Sequence, residues 1–291
     1  ELAPPPPGGP RMRSADGAPL LLPWAPDRCL TEPRLVAPVA VRGGSGRRAS
    51  LSVEVDEEAP RFPPSVDERA AAAWEAKLQT WPDLFDGPAW SLGAYTSSGA
   101  DVLHVRLRRT SFRYKLFARD LMRSGERLDD PDLASFVEAV QPVGVSALAF
   151  TCEGLACIGL RGTRTASAPG MWHVPGGILD KPDPAALVLR ELQEELGLPA
   201  EPSPSADFLG LWDTGELHGW VPTLVFAVQL QYTARQLEEE LWPTALDRWE
   251  HTRLAFVEPG VGAAAAFARL EAASGARVTP LTCAVVGHYG R

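Results

Sequence analysis

Glu191, Glu194 and Glu195, in the run RELQEEL, are the side chains of this sequence whose type and spacing first ask for a chemical reason. On a helix, residues three and four apart share a flank, where each pair of like charges costs roughly 0.2–0.5 kcal/mol. A divalent cation would reverse that sign. Hard Mg²⁺ takes oxygen ligands, keeps several waters and completes its shell with phosphate oxygens, and Mn²⁺ is a possible substitute. Such an ion neutralises phosphate charge and lowers the pKa of a coordinated water, the two requirements for attacking a diphosphate near neutral pH.

The surrounding residues specify the helix that would carry these acids. Asp183 is the expected N-cap, Pro184 the first helical residue and Gly197 the residue just past the end, which predicts a helix over 184–196. Ala185, Val188, Leu189, Leu192 and Leu196 gather on one face to dock it, leaving the three glutamates on an exposed flank. Gly176 and Gly177, after the strand-like MWHV, let the backbone come close to an ion or a phosphate.

In this register the segment from Gly176 to Leu198 resembles the Nudix box, G-x5-E-x7-R-E-U-x-E-E-x-G-U with U aliphatic. Gly176, Arg190, Glu191, Leu192, Glu194, Glu195, Gly197 and Leu198 fall on pattern positions, and MWHVPGG resembles the strand end that precedes such boxes. The resemblance implies Glu191, Glu194 and Glu195 as Mg²⁺ ligands and Arg190 as the residue that holds them. One position departs: Pro182 stands where the pattern has its first Glu, with Asp180 or Asp183 available as substitutes.

Longer stretches, AAAAWEAKLQTWPDLFDGPAW, RLRRTSFRYKL, QPVGVSALAF and EHTRLAFVE, are similar to an animal branch of the family that cleaves UDP-sugars, over about residues 34–290. That likeness implies hydrolysis of UDP-glucose or UDP-galactose to UMP and sugar 1-phosphate. The alternatives are another nucleotide diphosphate such as ADP-ribose, or a nucleotide-sugar binding protein whose catalysis is impaired at Pro182. Family members often place a base or an extra ligand before a late strand. Glu250 is the candidate here, with His251 beside it.

Arg161 and Arg164, after the strand LACIGL, are candidates to fork onto the diphosphate. Trp212 and Trp220 bracket DTGELHG and would either stack on uracil or belong to the core. Arg113 and Lys115, in TSFRYK, are candidates to reach the substrate from the N-terminal part.

The elements that must position these residues read as an α/β (α+β) protein: a Nudix-type mixed sheet sandwiched by helices over 141–291, preceded by a small α/β domain over 34–140. Thirteen of the 28 prolines lie in the first 64 residues, and 1–33 are expected to be disordered. LVAPVAV and ASLSVEV are expected to pair as a hairpin across RGGSGRR, and SVDERAAAAWEAKLQTW to form a helix capped by Ser65.

A net charge of −9 argues against a nonspecific grip on nucleic acid, and no apolar run approaches the roughly 20 residues of a membrane span. Four cysteines without paired CxxC spacing fit reduced thiols rather than a disulfide framework, although Cys152 and Cys157 flank a turn. The expected partner is a small nucleoside diphosphate and the expected location the cytoplasm. The chain opens on Glu1 rather than Met, which suggests a fragment and leaves a targeting segment upstream open; oligomeric state is open as well.

Overall fold

VGVSALAF carries apolar side chains at both parities, as a strand covered on both faces must. In the computed structural model, which describes residues 34–38, 50–82, 84–98, 102–123, 130–165, 168–200, 203–213 and 221–289, this run is the buried strand β5 (Gly144–Phe150). It sits inside an eight-stranded mixed sheet with β1 (Arg34–Pro38), β6 (Ala156–Arg161), β9 (Ala206–Asp213), β10 (Pro222–Gln229) and β11 (His251–Val257), in the order β1-β9-β10-β5-β6-β11. β10 runs parallel to β5; the other pairings along that path are antiparallel. Two short strands, β7 (Trp172–His173) and β8 (Gly176–Ile178), pair with β6 and β5.

One face of this sheet is covered by α4 (Pro184–Leu196) and by a three-stranded sheet of β2 (Ser50–Asp56), β4 (Val102–Ser111) and β3 (Pro88–Ser98). Val145, Ala147 and Ala149 of β5 share one core with Leu192 and Leu196 of α4 and with Leu92, Leu103 and Leu107 of the smaller sheet. The opposite face, with Leu148 and Phe150, packs on α6 (Ala263–Ser274) and α7 (Pro280–His288) through Phe267, Leu281 and Val285. A satellite core joins α1 (Pro64–Thr80), α2 (Phe112–Arg123) and α3 (Pro131–Ala139) around Phe136, whose ring meets Phe62, Tyr114 and Phe117. After β10, one capped turn, α5 (Ala234–Gln236), leads through a π turn and 3₁₀ turns to β11.

Two expectations change. The hairpin over 35–55 does not form: β1 adds antiparallel to the edge strand β9, whereas β2 pairs in parallel with β4, the connection running through α1 and β3. A parallel pair needs such a crossover between its strands. Ser65 is not the cap of α1. Pro63 occupies that place and makes no side-chain cap bond, with Pro64 at the first helical position, where its locked φ suits a helix start.

The segments 1–33 and RGGSGRR, and Trp220, lie outside the described residues. Among the described residues Cys152 and Cys157 form no disulfide, and burial together with the Glu195 charge pushes the Cys157 thiol up to about 12. No helix of the described residues is long and apolar enough to cross a membrane.

Candidate active site

Both ends of α4 are fixed as its sequence dictates. The Asp183 side chain accepts from the Ala186 N–H, Pro184 is the first helical residue, and Gly197 closes the helix at φ 72°. Leu187, Val188, Leu192 and Leu196 are buried. Glu191, Glu194 and Glu195 all lie in the C-terminal half, where the helix dipole is unfavourable to anions.

The three acids are not equally exposed, and here the expectation of one exposed flank fails. Glu195 is 1% exposed, Glu191 is largely buried and Glu194 is about a third exposed. Glu195 is drawn inward because its partners are there. Its Oε2 accepts from the Gly176 N–H at 3.1 Å and lies 3.2 Å from Nε2 of the buried His251, while Oε1 faces Arg161 at 4.0 Å and has no hydrogen-bond partner among the described residues. Room for that imidazole comes from Gly159 on β6, where a Cβ would overlap the His251 ring.

Gly177 does the same for Glu191: a Cβ there would overlap its carboxylate. At Gly176 a Cβ would overlap the Val145 carbonyl of β5, so the glycine corner is wedged between the central strand and the two acids. Burial, together with the charges of Glu195 and Glu194, raises the Glu191 carboxyl from its ordinary 4.5 to about 8.

Arg190 meets Asp180 at 2.9 Å, Glu194 at 3.7 Å and Glu191 at 3.9 Å. Asp183 is engaged as the helix cap. Of the two acids that could stand in for the box glutamate missing at Pro182, Asp180 is therefore the one on Arg190. Trp90 of β3 steadies the same loop, its indole N–H donating to the Asp180 carbonyl at 3.3 Å.

Glu250 precedes β11, and its Oε2 accepts from Arg161 Nη2 at 3.0 Å. Burial, and then the charge of Glu195, lifts its carboxyl above the usual range. Arg161 is buried against Glu250 and Glu195 rather than left open toward an incoming diphosphate, and Arg164 is exposed in the loop that follows. Trp212 is packed in the core on the α6–α7 face, edge-on to His288 and across the sheet from the glutamates. The structure thus brings together Arg190, Glu191, Glu194, Glu195, Arg161, Glu250, Gly176 and Gly177, and sets Trp212 apart.

Sequence reasoning missed Trp90, Gly159 and the buried setting of His251. An isolated glycine inside ACIGLR was the one available signal, since a strand glycine often marks a close approach.

As carboxylate oxygens around a glycine corner, these donors suit a hard divalent cation, and the unpartnered Glu195 Oε1 and the crowded Glu191 are the groups one would relieve. Among the described residues no three acids, histidines or cysteines already stand at coordination spacing.

No protein-family model matches the chain. The uridine diphosphate glucose pyrophosphatase NUDT22 of Homo sapiens is 26% identical over 261 residues, covering 78% of this chain and 84% of its own. The Mus musculus protein of that name is 26% identical over 247 residues, covering 74% and 78%. Solved structures with partial similarity include DR0079 from Deinococcus radiodurans (18% identity, TM-score 0.36, 50% of this chain and 80% of that one). A MutT protein from Methanosarcina mazei is a second (19% identity, TM-score 0.28, 40% and 75%). The box, the helix and glycine corner that carry it, and the curated relatives agree in one likeness: the chain is similar to Nudix hydrolases.

Proposed function

We propose that the protein is a divalent-metal-dependent pyrophosphohydrolase that cleaves UDP-glucose or UDP-galactose to UMP and sugar 1-phosphate. The observation that supports this reading is the convergence of Glu191 and Glu195 on the Gly176–Gly177 corner, one with its charge disfavoured by burial and then by its acidic neighbours, the other with a buried oxygen that has no hydrogen-bond partner among the described residues. The choice of substrate is supported by the name of the relatives, uridine diphosphate glucose pyrophosphatase.

Glu191, Glu194 and Glu195 would hold the metal, Mg²⁺ or Mn²⁺, after Arg190 and Arg161 yield their share of the carboxylates. When bound, the metal supplies a water of lowered pKa and neutralises phosphate charge. The chain's own groups do the rest. Hydrolysis adds water across the P–O–P bridge: one P–O bond breaks, one P–O bond forms and a proton is released. Glu250 is the candidate to take that proton, because Arg161 orients its carboxylate and its surroundings favour the protonated form. Arg190, tied to Asp180, holds Glu194 and Glu191 on the same side of the helix.

The test is a panel of UDP-glucose, UDP-galactose, ADP-ribose and a dinucleoside polyphosphate, assayed for nucleotide release with Mg²⁺, with Mn²⁺ and with chelator. Release of UMP from the UDP-sugars that stops on chelation supports the reading; rapid turnover of ADP-ribose beside inert UDP-glucose overturns the substrate. Pro182 in the box favours a second reading, a nucleotide-sugar binding protein without turnover. Calorimetry showing Mg²⁺-dependent UDP-glucose binding and no product on long incubation would establish that one instead.

A further inference from the structure

We propose that Lys115, on α2 and outside the box-bearing half of the chain, is a substrate-binding residue whose ammonium meets a phosphoryl oxygen of the diphosphate. The proposal rests on the pyrophosphohydrolase reading above and names a binding group for the same site.

The path of the chain brings α2 to the right end of the main sheet. β4 leads straight into α2, and its last residue, Ser111, lies opposite Pro88 of β3. Two residues along β3, the Trp90 N–H donates to the Leu179 carbonyl at 2.9 Å, and the Trp90 carbonyl accepts from the Val143 N–H at 2.9 Å. The first turn of α2 is thereby held beside the strand ends that carry the glycine corner. Arg161 closes β6 at that same end, because β6 runs antiparallel to β5.

Lys115 is 7% exposed, an unusual setting for a lysine. Among the described residues no carboxylate pairs with it. The charges that act on it are the guanidinium groups of Arg119 and of Arg161, both of its own sign. Burial first, and then those two cations, hold its ammonium well below the usual lysine range. The Phe112 ring, 5.0 Å from Nζ, offers its face to the amine and is a partial compensation.

A buried cation beside other cations costs stability, and an apolar side chain of equal volume would serve the core better. What the arrangement suits is an anion brought from outside, with charge enough to satisfy Lys115 while Arg161 stays on Glu250. A diphosphate has that charge, and carries it on oxygens that accept from an ammonium.

The experiment uses the full chain and Lys115→Met, which keeps the stem and removes the amine, with Lys115→Gln as the second variant should Met fold poorly. Inorganic pyrophosphate is titrated calorimetrically with Mg²⁺ and again with chelator, and kcat/KM for UDP-glucose and Tm are measured alongside. The expected result is an unchanged or raised Tm, because an uncompensated buried charge is gone, with pyrophosphate affinity and kcat/KM both about ten- to a hundredfold lower. A merely structural lysine would move Tm and leave the affinity alone. Wild-type pyrophosphate affinity in a folded variant, or no pyrophosphate binding by the wild-type chain, overturns the proposal. Should the wild-type chain turn over no nucleoside diphosphate, the reaction assigned above fails, and the pyrophosphate comparison still decides Lys115.

Discussion

Glu194 and Glu195 are neighbours on one helix and live in opposite surroundings. Glu194 is about a third exposed and meets Arg190 at 3.7 Å, an arrangement that water can replace at little cost. Glu195 is buried, held by a backbone N–H, faced by an imidazole and watched at 4.0 Å by a buried guanidinium. The difference shows where the fold has taken trouble. A carboxylate buried beside other carboxylates is expensive, and the elements that make it tolerable come from β6, β8 and β11, far apart in the chain. Glu195 is accordingly the acid whose loss should matter most.

Glu195→Gln is the sharpest way to break that comparison. The amide keeps a carbonyl for the Gly176 N–H, so folding should survive, but the charge proposed to hold the metal is gone. kcat for UDP-glucose should fall on the order of a hundred- to ten-thousandfold, against a much smaller loss for Glu194→Gln. Equal losses in the two variants, measured at saturating Mg²⁺, would show that burial does not separate their roles.

Gly159→Ala tests the support without touching any acid. A Cβ at 159 overlaps the His251 ring, which must then shift away from Glu195. Overpacking of this kind costs about 1–3 kcal/mol, visible as a lower Tm. Disturbing a group that orients a metal ligand costs about ten- to a hundredfold in activity or metal affinity. The assay is run well below the lowered Tm. Wild-type activity there would mean that His251 merely fills space.

These two variants also mark what could and could not be read from the chain. The ends of α4 were legible because Asp183, Pro184 and Gly197 are local signals, each acting within a turn of itself. The burial of Glu195 was not. Helical periodicity ranks a position by the apolar character of its neighbours, and a carboxylate at an inward position looks the same in sequence as one facing water. What draws it in is the pair Gly159 and His251, 92 residues apart in sequence and brought together only by the pairing of β6 with β11. The strand β1 misled for a related reason: alternation identified a strand, but the partner, β9, lies some 170 residues further on. Trp212 is the reverse case, an aromatic at a strand end whose type suits stacking and whose parity puts it in the core.

Glu191 sharpens the comparison through pH. Burial, and then the charges of Glu195 and Glu194, raise its carboxyl from the ordinary 4.5 to about 8 in the folded protein without metal. Between those values the folded state keeps a proton that the unfolded state has lost, so stability is greatest below the window. It falls as pH rises through the window, by at most about 1.4 kcal/mol per pH unit. Metal-free Tm should therefore decline between pH 5 and 8, and Glu191→Gln should flatten that decline. A slope unchanged by the substitution would place the crowding elsewhere.

The smallest expected effect concerns Asp180, and it bears on how this chain does without the box glutamate. Arg190 is about a third exposed, as is Asp180, so breaking their 2.9 Å pair should cost no more than about 1 kcal/mol of stability. The consequence for activity runs through the acids that Arg190 aligns, and Asp180→Asn should lower kcat a few-fold. Asp183→Asn should do nothing, because asparagine caps a helix as well as aspartate does. Adding Pro182→Glu to Asp180→Asn restores a carboxylate at the box position, with the backbone there also freed from proline. If Asp180 has taken over the duty of that missing glutamate, the double variant should recover what the single one lost, while Pro182→Glu alone should gain almost nothing, Arg190 being already engaged. A gain in the single Pro182→Glu variant as large as in the double would mean that Asp180 never filled the place, and that Glu194 had been working with an unaligned arginine.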